Sequence, residues 1–237
     1  MISRSGGSVR GCLMASDPSS NSANGAMLSP EPAMIEVAGG SFVDLLSPDP
    51  QSITLEAVAH GLAHTCRYGG HVKRFYSVAE HSGLVHDLLR HRGAGPDTLR
   101  AALFHDAAEA FLGDVTAPLK WALRRENWSN DGLSMNPDPS GTRSDYDRVS
   151  ERMDAAIRTA FGLRLDRVIE GEVALADMWA LRIEARELTW TGGANWRWPG
   201  ELPEGGELPD QVRWSGGLLP SYARIMWLDA VAGVRDA

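Results

Sequence analysis

The amino-acid sequence predicts an all-α protein, and three observations support this fold class. Apolar residues recur three and four positions apart in several long segments, which is the spacing of amphipathic helices. Residues that cap helices, such as Ser and Asp, precede these segments, and Gly follows some of them. The stretch that reads as extended is residues 34 to 53, where Pro48 and Pro50 stop any helix. We therefore expect a short hairpin or irregular lead-in followed by a single helical domain.

The helices can be placed in order from their capping residues. Ser52 begins the first helix, and Ser77, with Glu80 three residues later, begins the second. Asp97 opens the helix that Gly113 ends. The predicted helices span residues 52–66, 77–92, 97–112, 146–161, 168–190 and about 220–234.

Polar segments rich in Gly and Pro separate the last three helices. Residues 127 to 145 have no apolar period and predict a long surface loop. A second such loop follows the helix at 168–190 and is rich in Trp, Gly and Pro. Its residues Trp190, Trp196 and Trp198 could form a lid, a base-stacking surface, an oligomer contact or a loop packed on the helices.

The first 33 residues differ in composition from the rest of the chain. They are rich in Ser, Gly, Asn and Pro and have no helical or strand period, so we expect a disordered tail. The continuous apolar core of a signal peptide does not occur in them. We expect the functional domain to span residues 34–237, with Met34 as its start.

The charge balance limits the expected partners. The formal net charge of -8 argues against stable nucleic-acid binding, which usually needs a basic face. A small anionic ligand is compatible with this charge, because a pocket can be locally positive. Residues 60 to 76 contain Arg67, Lys73, Arg74 and three histidines but no acid. This window is either an anion-facing segment or a solvated charged surface.

Cysteine content and hydropathy predict a cytoplasmic protein that is not a membrane protein. The two cysteines, Cys12 and Cys66, are too few for a disulfide framework and fit a reducing compartment. No apolar run approaches the roughly 18 residues that would indicate a membrane span.

The segment AALFHDAAEAFLGD, residues 101 to 114, carries the strongest signal for chemistry. On a helix, His105, Asp106 and Glu109 point into one sector, and Asp114 lies just beyond the helix end. Burying this cluster is unfavourable unless a partner compensates, and a divalent cation is a suitable partner. The alternative is a charged surface patch, since the chain contains a second His–Asp pair in LVHDLL at residues 84–89.

A metal site needs three or four ligands, so other helices must contribute to it. His81, in YSVAEHSGLV, and Asp177, in VALADMWAL, each interrupt an apolar helical pattern. Taken alone, each is more often a hydrogen-bonded core residue or a solvated edge than a ligand.

Taken in order, these residues resemble the HD phosphohydrolase superfamily, whose metal site has the pattern H…HD…D. The segments VAEHS (78–82), LFHDAAEAFLGDVTAPLK (103–120) and ADMWALRIEA (176–185) are similar to small bacterial 5′-deoxynucleotidases and phage dATP triphosphohydrolases. The resemblance covers about residues 39–190, which leaves 191–237 as a C-terminal extension. It implies a helical-bundle HD domain.

The resemblance also implies a divalent cation and its ligands. His81, His105, Asp106 and Asp177 match the metal ligands of the family. Mn, Co, Mg, Fe and Zn all suit a mixed set of His and carboxylate ligands. The second pair, His86–Asp87, starts five residues after the first ligand and is rotated by about 140° on the same helix, so we expect it at the surface.

Further residues match the catalytic and substrate-binding positions of the family. Glu109 matches the acid beside the attacking water, and Asp114 matches the acid that orients water or substrate. Lys120 is similar to the lysine that reaches the phosphate. Arg67 and Tyr68 resemble an Arg–Trp pair that contacts phosphate and sugar, and the Tyr departs from that pattern.

Three histidines in the basic window, His60, His64 and His71, are either additional phosphate contacts or structural residues. The resemblance also implies a homodimer.

The expected activity is hydrolysis of the 5′-phosphate of deoxynucleoside monophosphates. A deoxynucleoside triphosphate triphosphohydrolase of the dATP type is the first alternative. A non-catalytic nucleotide or alarmone sensor on the same scaffold ranks lower, since all four ligands are present.

Overall fold

The computed structural model describes residues 33–129, 143–196 and 216–235, and these lie in one compact unit, Pro32–Ala237. The described part of the chain contains one two-stranded antiparallel sheet and eight α-helices. The all-α prediction is therefore confirmed. Nearly all of the predicted tail, most of the predicted loop 127–145 and Trp198 lie outside the described residues.

The elements follow each other in a simple order. The strands are β1 (Met34–Glu36) and β2 (Phe42–Asp44). The helices are α1 (Leu55–His64), α2 (Val78–His91), α3 (Pro96–Phe104), α4 (Glu109–Leu112), α5 (Ala117–Ser129), α6 (Asp145–Phe161), α7 (Arg167–Leu188) and α8 (Pro220–Arg235). None of the helices in the described segments has the length and apolarity needed to span a bilayer.

Two of the predicted starts can be checked against their hydrogen bonds. At α2 the prediction is confirmed, because the Ser77 hydroxyl accepts a bond from the Glu80 N–H and the Glu80 carboxylate accepts one from the Ser77 N–H. At α1 it is wrong by two residues. Thr54 caps this helix by accepting from the Ala57 N–H, whereas Ser52 belongs to a preceding 3₁₀ turn.

The predicted single helix over residues 97–112 is wrong. Helix α3 ends at Phe104, residues 105–108 form turns, and α4 begins at Glu109. Bonds between positions i and i+3 replace the α-helical pattern here, as in the bond from the Glu109 N–H to the Asp106 carbonyl. The Nδ1 atom of His105 forms a hydrogen bond with the Ala102 carbonyl oxygen at 2.7 Å. The two central residues of the motif thus lie in a tight turn, which redirects their side chains.

Helix α5 was not predicted from the sequence. Its apolar residues are few, and Leu119 and Trp121 are exposed, so it lacks the apolar face that would mark an amphipathic helix. Its last residues, 127–129, fall in the segment predicted as a loop. The helix matters for the site because it carries Lys120.

A first apolar cluster joins α1 to the turn after α3. Trp227 of α8 is fully buried, packs edge-on against Phe104 at 5.1 Å between ring centroids, and donates its indole N–H to the Leu103 carbonyl. Helix α1 approaches α4 so closely that a Cβ at Gly61 would lie 2.4 Å from the Ala110 carbonyl oxygen. Only glycine fits there without displacing the backbone that holds the turn.

A second apolar cluster packs α2, α3 and α7 against one another. The buried residues Leu84, Val85 and Leu88 of α2 meet α3 and α7. Ala102 of α3 and Ala176 of α7 are fully buried, and such small side chains let helices approach closely. This packing brings the N-terminal half of α2, the end of α3 and the middle of α7 together around one point.

Candidate metal centre

Four predicted ligands converge where these three helices meet. His81 comes from α2, His105 and Asp106 from the turn after α3, and Asp177 from α7. One ligand atom each of His81, His105 and Asp106 lies within 4.8 Å of the others. The Nε2 atom of His81 lies 3.1 Å from Asp177 Oδ1 and 3.5 Å from Asp106 Oδ2. The structure thus brings all four side chains into one cluster.

The two histidine rings are oriented by acceptors on their far sides. Nδ1 of His81 lies 2.6 Å from Glu184 Oε1, and Nδ1 of His105 lies 2.7 Å from the Ala102 carbonyl oxygen. A carboxylate and a carbonyl can only accept, so each Nδ1 carries a proton and donates it. In a neutral ring, Nε2 then holds a lone pair that points into the cluster.

This donor set fits a cation. The two Nε2 atoms lie only 3.1 Å apart, so either a proton on one of them or a metal ion between them must relieve the repulsion of the two lone pairs. Burial and the charge of Arg67 lower the pKa of His81, but Glu184 and Asp177 outweigh them and raise it to about 10. The acidic surroundings therefore favour positive charge at this point. His81, His105 and Asp106 could hold a metal ion.

Arg67 borders the cluster on the side of the loop after α1. Its Nη1 lies 3.2 Å from Asp106 Oδ2 and its Nη2 lies 3.4 Å from Glu184 Oε2, while its Nε has no hydrogen-bond partner among the described residues. Burial raises the pKa of Asp106, but His105, His81 and Arg67 outweigh burial and hold it well below its usual range. Asp106 is therefore ionised, as a ligand must be.

Glu109 and Lys120 form a pair beside the cluster. The Nζ atom of Lys120 lies 3.5 Å from Glu109 Oε1, and Glu109 Oε2 is buried without a hydrogen-bond partner in the described part of the chain. Burial, with the nearby charges of Asp106 and Asp114, raises the pKa of Glu109 to about 8. A carboxylate in this state can take up and release a proton near neutral pH.

Asp114 and Tyr68 hold each other in an unusual turn. Tyr68 has a φ of 60°, which is rare for a residue other than glycine. Its N–H donates to Asp114 Oδ2 at 2.9 Å, and its hydroxyl donates to Glu184 Oε2 at 2.7 Å. The ring of Trp196 lies 6.1 Å away, between centroids. The turn thus fixes Tyr68 beside the cluster, and one tryptophan of the Trp-rich segment faces it.

Glu184 is the site residue that the sequence reasoning missed. It is fully buried on α7 and contacts the side chains of His81, Arg67, Tyr68 and Tyr76. Its spacing was a usable signal, because residues seven apart lie two turns apart on one helix face, as Glu184 and Asp177 do.

Helix α6 also contributes to the site wall, which the sequence did not indicate. Lys120 Nζ lies 5.7 Å from the centre of the Tyr146 ring. Burial raises the pKa of Asp154 to about 6, with a smaller contribution in the same direction from Asp106. Helix α6 thus places Tyr146 beside Lys120 and Asp154 within the electrostatic influence of Asp106.

The other histidines form no part of the described cluster. His60 and His64 are exposed on α1 and stack on each other at 4.0 Å between ring centroids, and His71 is also exposed. The prediction that His86 lies at the surface is wrong. Its residue exposure is 6%, because α2 is packed on two sides, while the Asp87 side chain is 48% exposed. Cys66 is a free thiol.

The fold and the site define an all-α protein with a candidate metal centre. No family model matches the chain. It is 35% identical over 155 residues to an uncharacterized protein of Rhodobacter capsulatus, and the aligned region covers 63% of this chain and 69% of that protein. It is 33% identical over 155 residues to the uncharacterized protein YfdR of Escherichia coli K12, with 65% and 71% covered. The chain belongs to the family of these two proteins.

Proposed function

We propose that this protein is a metal-dependent phosphohydrolase that removes the 5′-phosphate from deoxynucleoside monophosphates. The observation that carries the proposal is one cluster in which four candidate ligands lie beside two cationic side chains and the carboxylate of Glu109. His81, His105, Asp106 and Asp177 would hold the ion. When bound, a divalent cation lowers the pKa of water and withdraws charge from a phosphoryl oxygen.

Arg67 and Lys120 supply the positive charge that a phosphate needs. Phosphoryl transfer spreads negative charge over the equatorial oxygens, and cations placed beside them stabilise the transition state. Arg67 is held beside the cluster through Nη1 and Nη2, which contact Asp106 and Glu184, so its positive charge lies next to the candidate ligands. Lys120 is held near the cluster by Glu109.

Glu109 takes the proton of the attacking water in this proposal. Its Oε2 is unpartnered and buried, so a water molecule placed between it and the phosphate would have an acceptor on the correct side. Asp114 keeps the Arg67–Tyr68 turn in place through its bond with the Tyr68 N–H. The other carboxylate oxygen of Asp114 can accept a hydrogen bond from water or from the substrate.

The choice of a monophosphate rests on the resemblance of the motifs EHS, HDAAE, GD and PLK at residues 80–120 to 5′-deoxynucleotidases. The ring of Tyr68 stands where that family places a Trp, and its hydroxyl is bonded to Glu184. We therefore expect the ring face, rather than the hydroxyl, to meet the sugar.

The proposal is tested by incubating the purified protein with Mn²⁺ or Co²⁺ and each deoxynucleoside mono- and triphosphate. Mass spectrometry then identifies the products. Inorganic phosphate and deoxynucleoside from the monophosphates would support the proposal. Release of triphosphate from dATP would instead indicate a triphosphohydrolase. Binding of metal and nucleotide without any hydrolysis would indicate a sensor.

A further inference from the structure

We infer that Glu184 is the positioning residue of the metal centre, because it orients His81 and connects this ligand to Arg67 and Tyr68. The inference rests on the proposed function, since it assumes that the cluster holds a divalent cation.

The burial of Glu184 requires an explanation in terms of its partners. Its side chain is fully inaccessible, and an ionised carboxylate in such a place is unfavourable unless charges and hydrogen bonds compensate it. The structure provides four compensating groups, and each is a donor. His81 and Tyr76 approach Oε1 at 2.6 Å and 3.1 Å. Tyr68 and Arg67 approach Oε2 at 2.7 Å and 3.4 Å.

The bond to His81 determines which ring nitrogen is available to a metal. Because Glu184 accepts from Nδ1, the proton of the neutral ring stays there and Nε2 keeps its lone pair. The same bond fixes the ring plane so that Nε2 points at Asp177 and His105. An outer carboxylate of this kind raises the basicity of the ligand and sets its direction.

The two oxygens of Glu184 serve two halves of the site. Oε1 holds the metal ligand His81, whereas Oε2 holds Tyr68 and Arg67, which face the expected phosphate. An amide has only one oxygen, so a glutamine at this position would direct an N–H₂ group at donors on one side. Glu184→Gln therefore keeps the volume of the side chain but leaves the donors on one side of it without an acceptor.

Helix α7 offers a matched control. Glu172 lies three turns earlier on the same helix, and its Oε2 accepts a hydrogen bond from the Thr98 hydroxyl at 2.9 Å. Glu172→Gln makes the same chemical change without touching a metal ligand. Because Glu172 is exposed and Glu184 is fully buried, this control reports only the effect of removing a negative charge from α7, and the folding of Glu184→Gln is checked separately.

The experiment is a calorimetric titration of Mn²⁺ alone into the metal-free full-length protein and both variants, with circular dichroism as a check of folding. We expect Glu184→Gln to bind Mn²⁺ about 10- to 100-fold more weakly than wild type, and Glu172→Gln to bind it as wild type does. If wild type binds Mn²⁺ and Glu184→Gln binds it equally well, this inference alone is overturned. If wild type binds no Mn²⁺, the proposed function is overturned with it.

A second measurement needs no variant and covers the case in which Glu184→Gln does not fold. In wild type labelled with ¹⁵N-histidine and loaded with Zn²⁺, long-range ¹H–¹⁵N correlation spectra report the tautomer of each ring. We expect His81 to carry its proton on Nδ1. A proton on Nε2 of His81 would overturn the inference.

Discussion

The chain contains two His–Asp pairs that are identical as dipeptides and different in their surroundings. In the first pair, His105 Nε2 lies 3.3 Å from Asp106 Oδ2, and both side chains approach His81 Nε2 of α2. Asp106 also contacts Arg67 from the loop after α1, and His81 in turn contacts Asp177 of α7. In the second pair, His86 Nδ1 lies 3.1 Å from Asp87 Oδ1, and Asp87 also forms an ion pair with Arg90 of the same helix. The first pair therefore belongs to a cluster built from four elements, whereas the ion pairs that the structure describes for the second pair lie within α2.

The two pairs differ in the side chains that other elements of the fold place beside the dipeptide. The first pair lies in the turn between α3 and α4, and both of its side chains approach His81 of α2. The second pair lies inside a regular helix, where adjacent residues diverge by about 100°. His86 is buried by apolar packing and Asp87 reaches solvent.

The largest expected effect contrasts the two histidines directly. His105→Ala removes a ligand, so we expect Mn²⁺ affinity to fall by more than about 100-fold and hydrolysis to become undetectable. His86→Ala is the matched control, and it should leave Mn²⁺ affinity unchanged while lowering stability. Titration calorimetry and phosphate release measure both. Equal loss of metal binding in the two variants would remove the distinction between the pairs.

The second-largest expected effect concerns Glu109, which lies beside the first pair and should affect hydrolysis without affecting metal binding. Glu109→Gln retains a side chain of the same size but cannot accept the proton, so turnover should fall by about 10²- to 10⁴-fold. Mn²⁺ affinity should stay close to that of wild type. Steady-state kinetics on a deoxynucleoside monophosphate gives the first value and calorimetry the second. A variant with unchanged turnover would exclude Glu109 as the base.

Arg67 tests whether the first pair is connected to substrate binding. Arg67→Lys keeps the charge but loses the guanidinium that reaches Asp106 and Glu184 together. We expect KM to rise by roughly tenfold, because a smaller part of the binding energy is available to the phosphate. Arg90→Lys, beside the second pair, is the control and should leave KM as in wild type. A rise in KM for both variants would contradict this assignment.

The smallest effect concerns the packing that supports the turn at residues 105–108. Gly61→Ala places a methyl group 2.4 Å from the Ala110 carbonyl oxygen, so the free energy of unfolding should fall by about 1–3 kcal/mol. Gly171→Ala meets no atom within 4 Å and lies in α7, so it should raise stability by about 0.5–1 kcal/mol. Urea denaturation measures both. A stabilised Gly61→Ala would show that the close approach is not required.

The regular parts of the fold were predictable because local signals agree there. The apolar period and the Ser77–Glu80 capping box located α2, and Gly162 in the left-handed conformation marks the end of α6. Helix α5 was missed because it has no continuous apolar face to read. The break after Phe104 was missed because alanines on both sides favour a continuous helix, while the contacts of His105 and Asp106 favour a turn.

The sequence indicated the candidate ligands and several residues around them, such as Arg67, Glu109 and Lys120, but it did not indicate Glu184. His81, Asp106 and Asp177 stood out as titratable groups in apolar helical patterns. Glu184 did not, since a glutamate near the end of a long helix is normally solvated, and its burial depends on donors more than 100 residues away in sequence. The seven-residue spacing from Asp177 indicates which helix face Glu184 lies on, and the packing of α7 against the loop after α1 supplies its partners.

Anomalous X-ray diffraction at the manganese edge, on crystals of the wild-type protein soaked in Mn²⁺, tests the central claim most directly. We expect one strong peak within bonding distance of His81, His105, Asp106 and Asp177, and no peak beside His86 and Asp87. A chain that binds Mn²⁺ elsewhere, with no peak at the first pair, would contradict it.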